Sequence, residues 1–363
     1  MVKRALLLSV AAAAASCVRV SEGRAERDRA VGAAEIDGLS IVVDDGLAAV
    51  RALQPARVDL WGNAPALSLR LVLDAARDVE LRVDNAMADA RAFVGARVID
   101  STAPGTRRAF VIPADAFAPS EGRFAARVLV RPPDADEPRR FRFAMYADVQ
   151  EAIDRVQDVY ARMNAEEGVS FALMAGDQTT HGGPDELEVF QREMATLRFP
   201  VFATLGNHEL GKPEVPYHDW FGRGSSSFEL HGARFTLLDS ASATIDAIVY
   251  DWLDDWLARG RGRVHVVAMH IPPIDPIGVR SGSFASRNEA NKLLARLAEG
   301  RVDLTLYGHV HSYYAFENAG IPAYIAGGGG AIPERFDNVG RHFLVIDVDP
   351  VAQTHATRLV RVD

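Results

Sequence analysis

The stretch Pro200-Val201-Phe202-Ala203-Thr204-Leu205-Gly206-Asn207-His208-Glu209 decides the reading of this chain. An apolar run sets a strand in a core, the glycine permits a sharp exit, and Asn207 and His208 then present an amide oxygen and an imidazole. Gly-Asn is also ordinary turn chemistry, so the tip alone fixes nothing. Its meaning depends on what stands at the ends of the other strands.

Phe141–Ala147 reads as a strand ending at Asp148-Val149-Gln150, and Val169–Ala175 as one ending at Gly176-Asp177. Helical spacing over Glu151–Asn164 and about Asp185–Leu197 separates these strands from each other and from the one that ends at Asn207. Asp148 and Asp177 stand 29 residues apart, and Asp177 and Asn207 stand 30 apart. That interval is the length of a βαβ unit, so three polar tips fall on one edge of one sheet. Ligand sites at the carboxyl ends of such strands are the rule for α/β sheets.

The pattern continues downstream. Phe235–Leu238 leads to Asp239, Arg263–Met269 ends at His270, and Val302–Tyr307 ends at Gly308-His309-Val310-His311. Ile321–Ala326 runs into Gly327–Gly330, and Phe343–Val348 and Ala356–Val362 close the segment. Of the ten His in the chain, His208, His270, His309 and His311 all stand just past strand ends. Mixed nitrogen and oxygen donors with a carboxylate able to bridge suit Fe, Zn, Mn or Co at two close sites.

Asp148-x-Gln150, Gly176-Asp177, Gly206-Asn207-His208-Glu209, His270 and Gly308-His309-Val310-His311 resemble, in order and spacing, the calcineurin-like metallophosphoesterases. The resemblance covers about residues 140 to 363. It implies an α/β (α+β) fold of two mixed β-sheets sandwiched together and flanked by helices, with two divalent or trivalent metal ions between strand ends. By motif, Asp148 and His311 would hold the first metal, with Gln150 where the family commonly has His. Asp177 would bridge, and Asn207, His270 and His309 would hold the second. An amide oxygen is a poorer donor than imidazole, so the first site is expected to be weaker or differently selective.

Purple acid phosphatases share that fold, carry a fibronectin-like domain in front, and place a Tyr three residues after the bridging Asp. Here that position is Thr180, so an iron-tyrosinate colour is not expected. His181 beside it is either a substrate contact or a solvent-facing loop residue. The resemblance implies hydrolysis of a phosphomonoester or phosphodiester by a metal-bridging hydroxide. Asn207 and His208 would contact the substrate, and His208 would stabilise developing charge or protonate the leaving oxygen. Glu209 either orients His208 or caps the following segment, and Gly327–Gly330 either offers N–H groups to an anion or makes a plain turn. The alternative is a metal-binding envelope protein whose catalysis has weakened, starting at Gln150.

The chain of 363 residues has room for two domains. A net charge of -9 argues against a nucleic-acid partner, which needs clustered cations. Lys3-Arg4, the apolar run Ala5–Ala15 and Ser16-Cys17 read as a secretory signal, too short to span a bilayer. Cys17 is the sole cysteine, and after Ala14-Ala15-Ser16 it resembles a bacterial lipobox, with Ala14 where Leu is usual. Acylated there, the protein would be an outer-membrane lipoprotein; with a plain signal it would be periplasmic. The expected organisation is 1–17 signal peptide or lipobox, 18–35 flexible tether, 36–137 β-sandwich and 138–363 phosphoesterase domain. The sandwich expectation rests on short strand-like runs, Leu39–Val43, Arg57–Trp61, Leu67–Leu73, Val79–Val83, Ala96–Ile99, Ala109–Ile112 and Phe124–Val130, of immunoglobulin or fibronectin type. Arg131–Pro138 reads as the linker.

Overall fold

The structure is a computed structural model that describes residues 22–278, 282–334 and 338–362. The signal segment, Cys17 and the start of the expected tether lie outside the described residues.

The first region is all β. Its strands are β1 (Ala33–Ile36), β2 (Leu39–Val43), β3 (Ala48–Gln54), β4 (Arg57–Gly62), β5 (Leu67–Leu73), β6 (Val79–Asp84), β7 (Arg91–Val94), β8 (Arg97–Ile99), β9 (Arg108–Ile112), β10 (Ala118–Ser120) and β11 (Arg123–Arg131). One sheet runs β1-β2-β5-β11-β7-β8 with β10 beside β11, and the other runs β3-β4-β6-β9. In β5 every second residue is buried, from Leu67 to Leu73, while Arg70 faces water. Val58, Leu60, Leu81 and Val83 of the other sheet join the same apolar cluster. Period-two burial is what a strand with one covered face requires. The pair β4/β6 is parallel.

The second region alternates strands and helices. Its strands are β12 (Phe141–Tyr146), β13 (Val169–Ala175), β14 (Val201–Thr204), β15 (Ser226–Leu230), β16 (Ala233–Leu238), β17 (His265–Met269), β18 (Leu304–Tyr307), β19 (Tyr313–Asn318), β20 (Ile321–Ala326), β21 (His342–Asp349) and β22 (Thr354–Arg361). They form two mixed sheets, β14-β13-β12-β21-β22 and β15-β16-β17-β18-β20-β19. Phe143, Phe171, Phe202, Phe228 and Phe235 interlock between these sheets, with ring centroids 5.2–5.4 Å apart in their closest pairs. Apolar residues on the opposite face meet helices, because strands buried on both sides read as continuous apolar runs.

The helices are α1 (Glu22–Ala30), α2 (Gln157–Asn164), α3 (Pro184–Met194), α4 (Tyr217–Trp220), α5 (Ala247–Gly260) and α6 (Arg287–Glu299). Tyr160 of α2 and Phe190 of α3 pack with Tyr146 of β12. Leu253 of α5 and Leu293 of α6 pack with Val267 of β17. Two mixed sheets flanked by helices are thus the architecture expected for this region. The apolar cluster of the first region continues without a break into the core between the mixed sheets. Among the described residues, no helix is long and apolar enough to cross a membrane.

Two expectations fail. The segment read as a flexible tether, residues 18–35, contains α1 and the start of β1, and α1 is docked. Arg24 pairs with Asp239 at 2.7 Å and hydrogen-bonds Ser242, all buried. Asp28 accepts from the N–H groups of Gly224 and Ser225. The docking is polar, so apolar periodicity does not reveal it. The helix expected over Glu151–Asn164 is regular only from Gln157, after a 3₁₀ turn at Gln150–Ala152. Val149 and Gln150 both give their N–H to the Asp177 carbonyl, which holds the chain against the next strand tip before a helix can start. The linker is packed too: Ala135 is buried and its carbonyl accepts from His231 N at 2.8 Å.

Removing Arg24 leaves Asp239 as a buried carboxylate without its cation. Arg24→Ala is expected to cost about 3 kcal/mol, the usual penalty for breaking a buried pair, read as a lowered urea midpoint. An unchanged midpoint would show that α1 does not contribute to stability.

Candidate metal centre

The strand tips of the two mixed sheets converge on one place. Asp148 and Gln150 follow β12, Asp177 follows β13 and Asn207 follows β14, while His270 follows β17 and His309 and His311 follow β18 from the other sheet. Leaving the strands this sharply puts Asp148, Gln150, Asp177 and His309 at φ of 63°, 45°, 55° and 71°. Residues other than glycine rarely adopt that conformation, and it concentrates where the surroundings over-determine the backbone. Here the tips bond to one another. Asp148 N reaches the Gly176 carbonyl, Val149 N the Asp177 carbonyl and Gly308 N the His270 carbonyl.

Two glycines are required by closeness. A Cβ on Gly206 would collide with the Asp177 carboxylate and backbone N, and one on Gly327 would collide with the Val310 carbonyl and crowd Asp148 Oδ2. The N–H groups of Gly327 and Gly329 are given to Ser312 and Ala147 carbonyls. Gly327–Gly330 thus packs closely against the β12 tip with two of its N–H groups already used, which is neither the plain turn nor the anion cradle of the sequence reading.

All seven ligand candidates from the sequence come together. Asp177 Oδ2 lies 2.7 Å from Gln150 Nε2 and 3.2 Å from His270 Nε2. Asn207 Oδ1 is 3.0 Å from His270 Nε2, and His311 Nε2 is 3.2 Å from Gln150 Nε2 and 3.4 Å from Asp148 Oδ1. Asp177, His270 and His309 offer ligand atoms within 4.8 Å of one another. Asp148 Oδ2 accepts from His309 N, whereas Asp148 Oδ1 is buried without a hydrogen-bond partner.

Backbone carbonyls aim the imidazoles. His270 Nδ1 meets Ala175 O, His311 Nδ1 meets Ile332 O and His208 Nδ1 meets Thr180 O, each at 2.8 Å. A carbonyl accepts only, so each Nδ1 is the protonated nitrogen and each Nε2 points toward the carboxylates. Burial alone would lower the His270 pKa, but the Asp177 charge and hydrogen bond outweigh it and raise it to about 9. His309 is lowered to about 4 by burial and the charge on His270. Burial works to raise Asp177, yet His270 and His208 hold it below the usual carboxylate range.

His208 stands at the rim with its side chain about one-third exposed, and its Nε2 is 3.8 Å from Asp177 Oδ2. His181 does not turn inward: its side chain is 69% exposed and its Nδ1 faces Glu186 at 3.4 Å. Glu209, whose role the sequence left open between orienting His208 and capping, does neither. Its buried carboxylate accepts from the N–H groups of Asp177, Thr179 and Gly206 and from the Thr179 hydroxyl, at 2.7–3.0 Å. It staples the tip of β13 to the tip of β14. Burial and the Asp177 charge raise its pKa to about 8, against the pull of those N–H groups. The only signal for this in the sequence is an acid three residues after Gly206, which does not tell a buried staple from a surface cap.

The model of the calcineurin-like phosphoesterase family matches residues 141–313, which carry all of these tips. The second region is similar to that family over this span. Among curated proteins, a 3',5'-cyclic-nucleotide phosphodiesterase of Nostoc sp. is 26% identical over 152 residues, 39% of this chain and 56% of that relative. The chain thus spans little more than half the length of this curated relative. Among solved structures, a purple acid phosphatase from yellow lupin (Lupinus luteus) seeds aligns with a TM-score of 0.54 at 12% identity, over 82% of this chain and 70% of that one. That likeness is one of fold.

Gly206→Ala should push the Asp177 carboxylate out of place. Mutations just behind a metal site typically weaken it about 10- to 100-fold, and a loss of that size in Mn²⁺ affinity is expected by calorimetry. Wild-type affinity in a folded variant would contradict the packing described here.

Proposed function

We propose that the centre holds two metal ions and that the protein hydrolyses phosphate esters. One observation carries the reading: Asp148 Oδ1, wholly buried and without a hydrogen-bond donor, faces the His311 imidazole at 3.4 Å where the strand tips meet. An unsatisfied buried oxygen costs about 1–3 kcal/mol and more when charged, and a cation relieves it. Asp148, Gln150 and His311 would hold the first ion, Asp177 both, and Asn207, His270 and His309 the second. The donor set suits Fe, Zn, Mn or Co. Gln150 directs its Nε2–H at Asp177, so presenting its oxygen takes a half-turn of the amide. That supports a weaker first site.

When bound, such ions acidify water and neutralise phosphoryl oxygens. The chain supplies the positioning. The Thr180 carbonyl fixes His208 with its Nε2 toward Asp177, at the solvent edge where an alcohol would depart. Protonated there, Nε2–H can give its proton to the leaving oxygen. Glu209 and the backbone bonds between tips keep the acids in place before substrate arrives, so little reorganisation is left for the reaction.

A diester substrate is the second reading within this function, favoured by the cyclic-nucleotide phosphodiesterase among the relatives. Rates on bis-aryl and mono-aryl phosphates separate the two. The rival from another class is a metal-binding envelope protein with weakened catalysis, supported by the inward amide of Gln150; metal analysis beside the same assays distinguishes it. We also propose that the all-β region is an immunoglobulin- or fibronectin-like accessory domain. Export, with an anchor at Cys17, rests on the motif around that residue.

Asp177→Asn is expected to abolish hydrolysis of an aryl phosphate with added Mn²⁺, and retention of most of the rate would sink the dimetal reading. Gln150→His supplies an imidazole in place of the amide. It should tighten the weaker of two steps in a Mn²⁺ titration, and an unchanged step would show that residue 150 is not a ligand.

A further inference from the structure

We infer that Asn63 and Asn85 of the all-β region are positioning residues for the second metal site, acting through the edge strand that carries Asn207. The inference rests on the metal-centre reading and adds a function for the region in front of it.

Strand β14 is the edge of its sheet, paired on one side only, with β13. Its outward peptide groups at Val201 and Ala203 are nevertheless bonded on both atoms. Val201 N donates to Asn85 Oδ1 at 2.8 Å, and Asn85 Nδ2 donates back to the Val201 carbonyl at 2.7 Å. Ala203 N donates to Asn63 Oδ1 at 2.7 Å, and Asn63 Nδ2 donates back to the Ala203 carbonyl at 2.9 Å. Each side-chain amide thus copies the donor and acceptor of a neighbouring strand, at alternate residues as a ladder requires. Both Asn are buried, and Asn85 also donates to the Gly62 carbonyl.

The pairing explains two features of the first region that its own core does not need. Asn63 follows β4 and Asn85 follows β6, and these two strands are parallel neighbours, so their tips emerge side by side. Asn85 sits at φ 59°, a conformation that Asn tolerates better than most residues and that its place beyond the strand end demands. An antiparallel pair would have sent the two tips to opposite ends of the sheet.

Beyond Ala203 the chain reaches Asn207 in four residues, each held. Thr204 Oγ1 bonds the Gly224 and Leu238 carbonyls, Leu205 is buried, and Gly206 N bonds Glu209. The position of Asn207 Oδ1 beside His270 therefore depends on where β14 is fixed, and its outer side is fixed by the first region, with the Tyr217 hydroxyl adding one bond to the Ala203 carbonyl. The first metal site, built from the β12 and β18 tips with Asp177, touches the β14 tip only through that shared acid, so its dependence is weaker.

The test is a Mn²⁺ titration of the full chain that resolves two binding steps, in the parent and in Asn85→Gly, which removes the amide and keeps the positive φ available. The step assigned to the second site, the one lost in Asn207→Ala, is expected to weaken about tenfold while the other weakens clearly less, so that the ratio of the two constants changes. A merely stabilising role would lower the melting temperature and leave the ratio of the two constants alone, and that result would overturn the inference. Asn63→Ser reads the same ratio if Asn85→Gly does not fold. In the parent, the Val201 and Ala203 amides should exchange with solvent as slowly as those of β13, and fast exchange would overturn the pairing without any variant. Absence of metal uptake by the parent would overturn the metal-centre reading itself; uptake that is unchanged by both substitutions overturns only the positioning role.

Discussion

The arrangement of the strand tips is governed by one buried carboxylate. Asp177 is 1% exposed and accepts from His208 N on one oxygen, and faces Gln150 and His270 on the other. A charge taken out of water costs several kcal/mol unless partners replace the solvent. Those partners come from the tips of β12, β14 and β17, so satisfying the acid also sets the mutual position of two sheets. Glu209 repeats the device one layer further out, with four donors from the β13 and β14 tips. The site and the joint between the sheets are the same structure.

This coupling is why so much of the site was legible in the sequence. The polar residues that meet at the centre stand directly after apolar runs, and the runs mark the strands. Asp148, Asp177, Asn207, His270, His309 and His311 each announce themselves in that way. Gln150 was legible as a position and as a departure, but the direction of its amide was not. The strands of the mixed sheets were readable for the same reason, since burial on both faces leaves nearly unbroken apolar runs.

What escaped has physical causes in each case. The β3 sequence Ala-Ala-Val-Arg-Ala-Leu-Gln is rich in helix formers and becomes a strand because β4 pairs with it. The start of the helix after Gln150 is overridden by two hydrogen bonds to Asp177. The docking of α1 rests on Arg24 and Asp28, and charged residues that form buried pairs look like charged residues on a surface. His181 illustrates the converse: it lies four residues from Asp177 in the sequence, and the turn before α3 points it at Glu186 instead.

The contact between Arg24 and Asp239 joins residues 215 positions apart. On a ribosome, α1 emerges early and its partner only after two-thirds of the chain has been made. For that interval a short, strongly charged helix has no core to join, and its isolated stability is marginal at such a length. Closing so long a loop is slow compared with forming neighbouring hairpins of the first region. This early helix is therefore expected to be among the last elements to take its native place, docking only once the β16 tip exists to receive it.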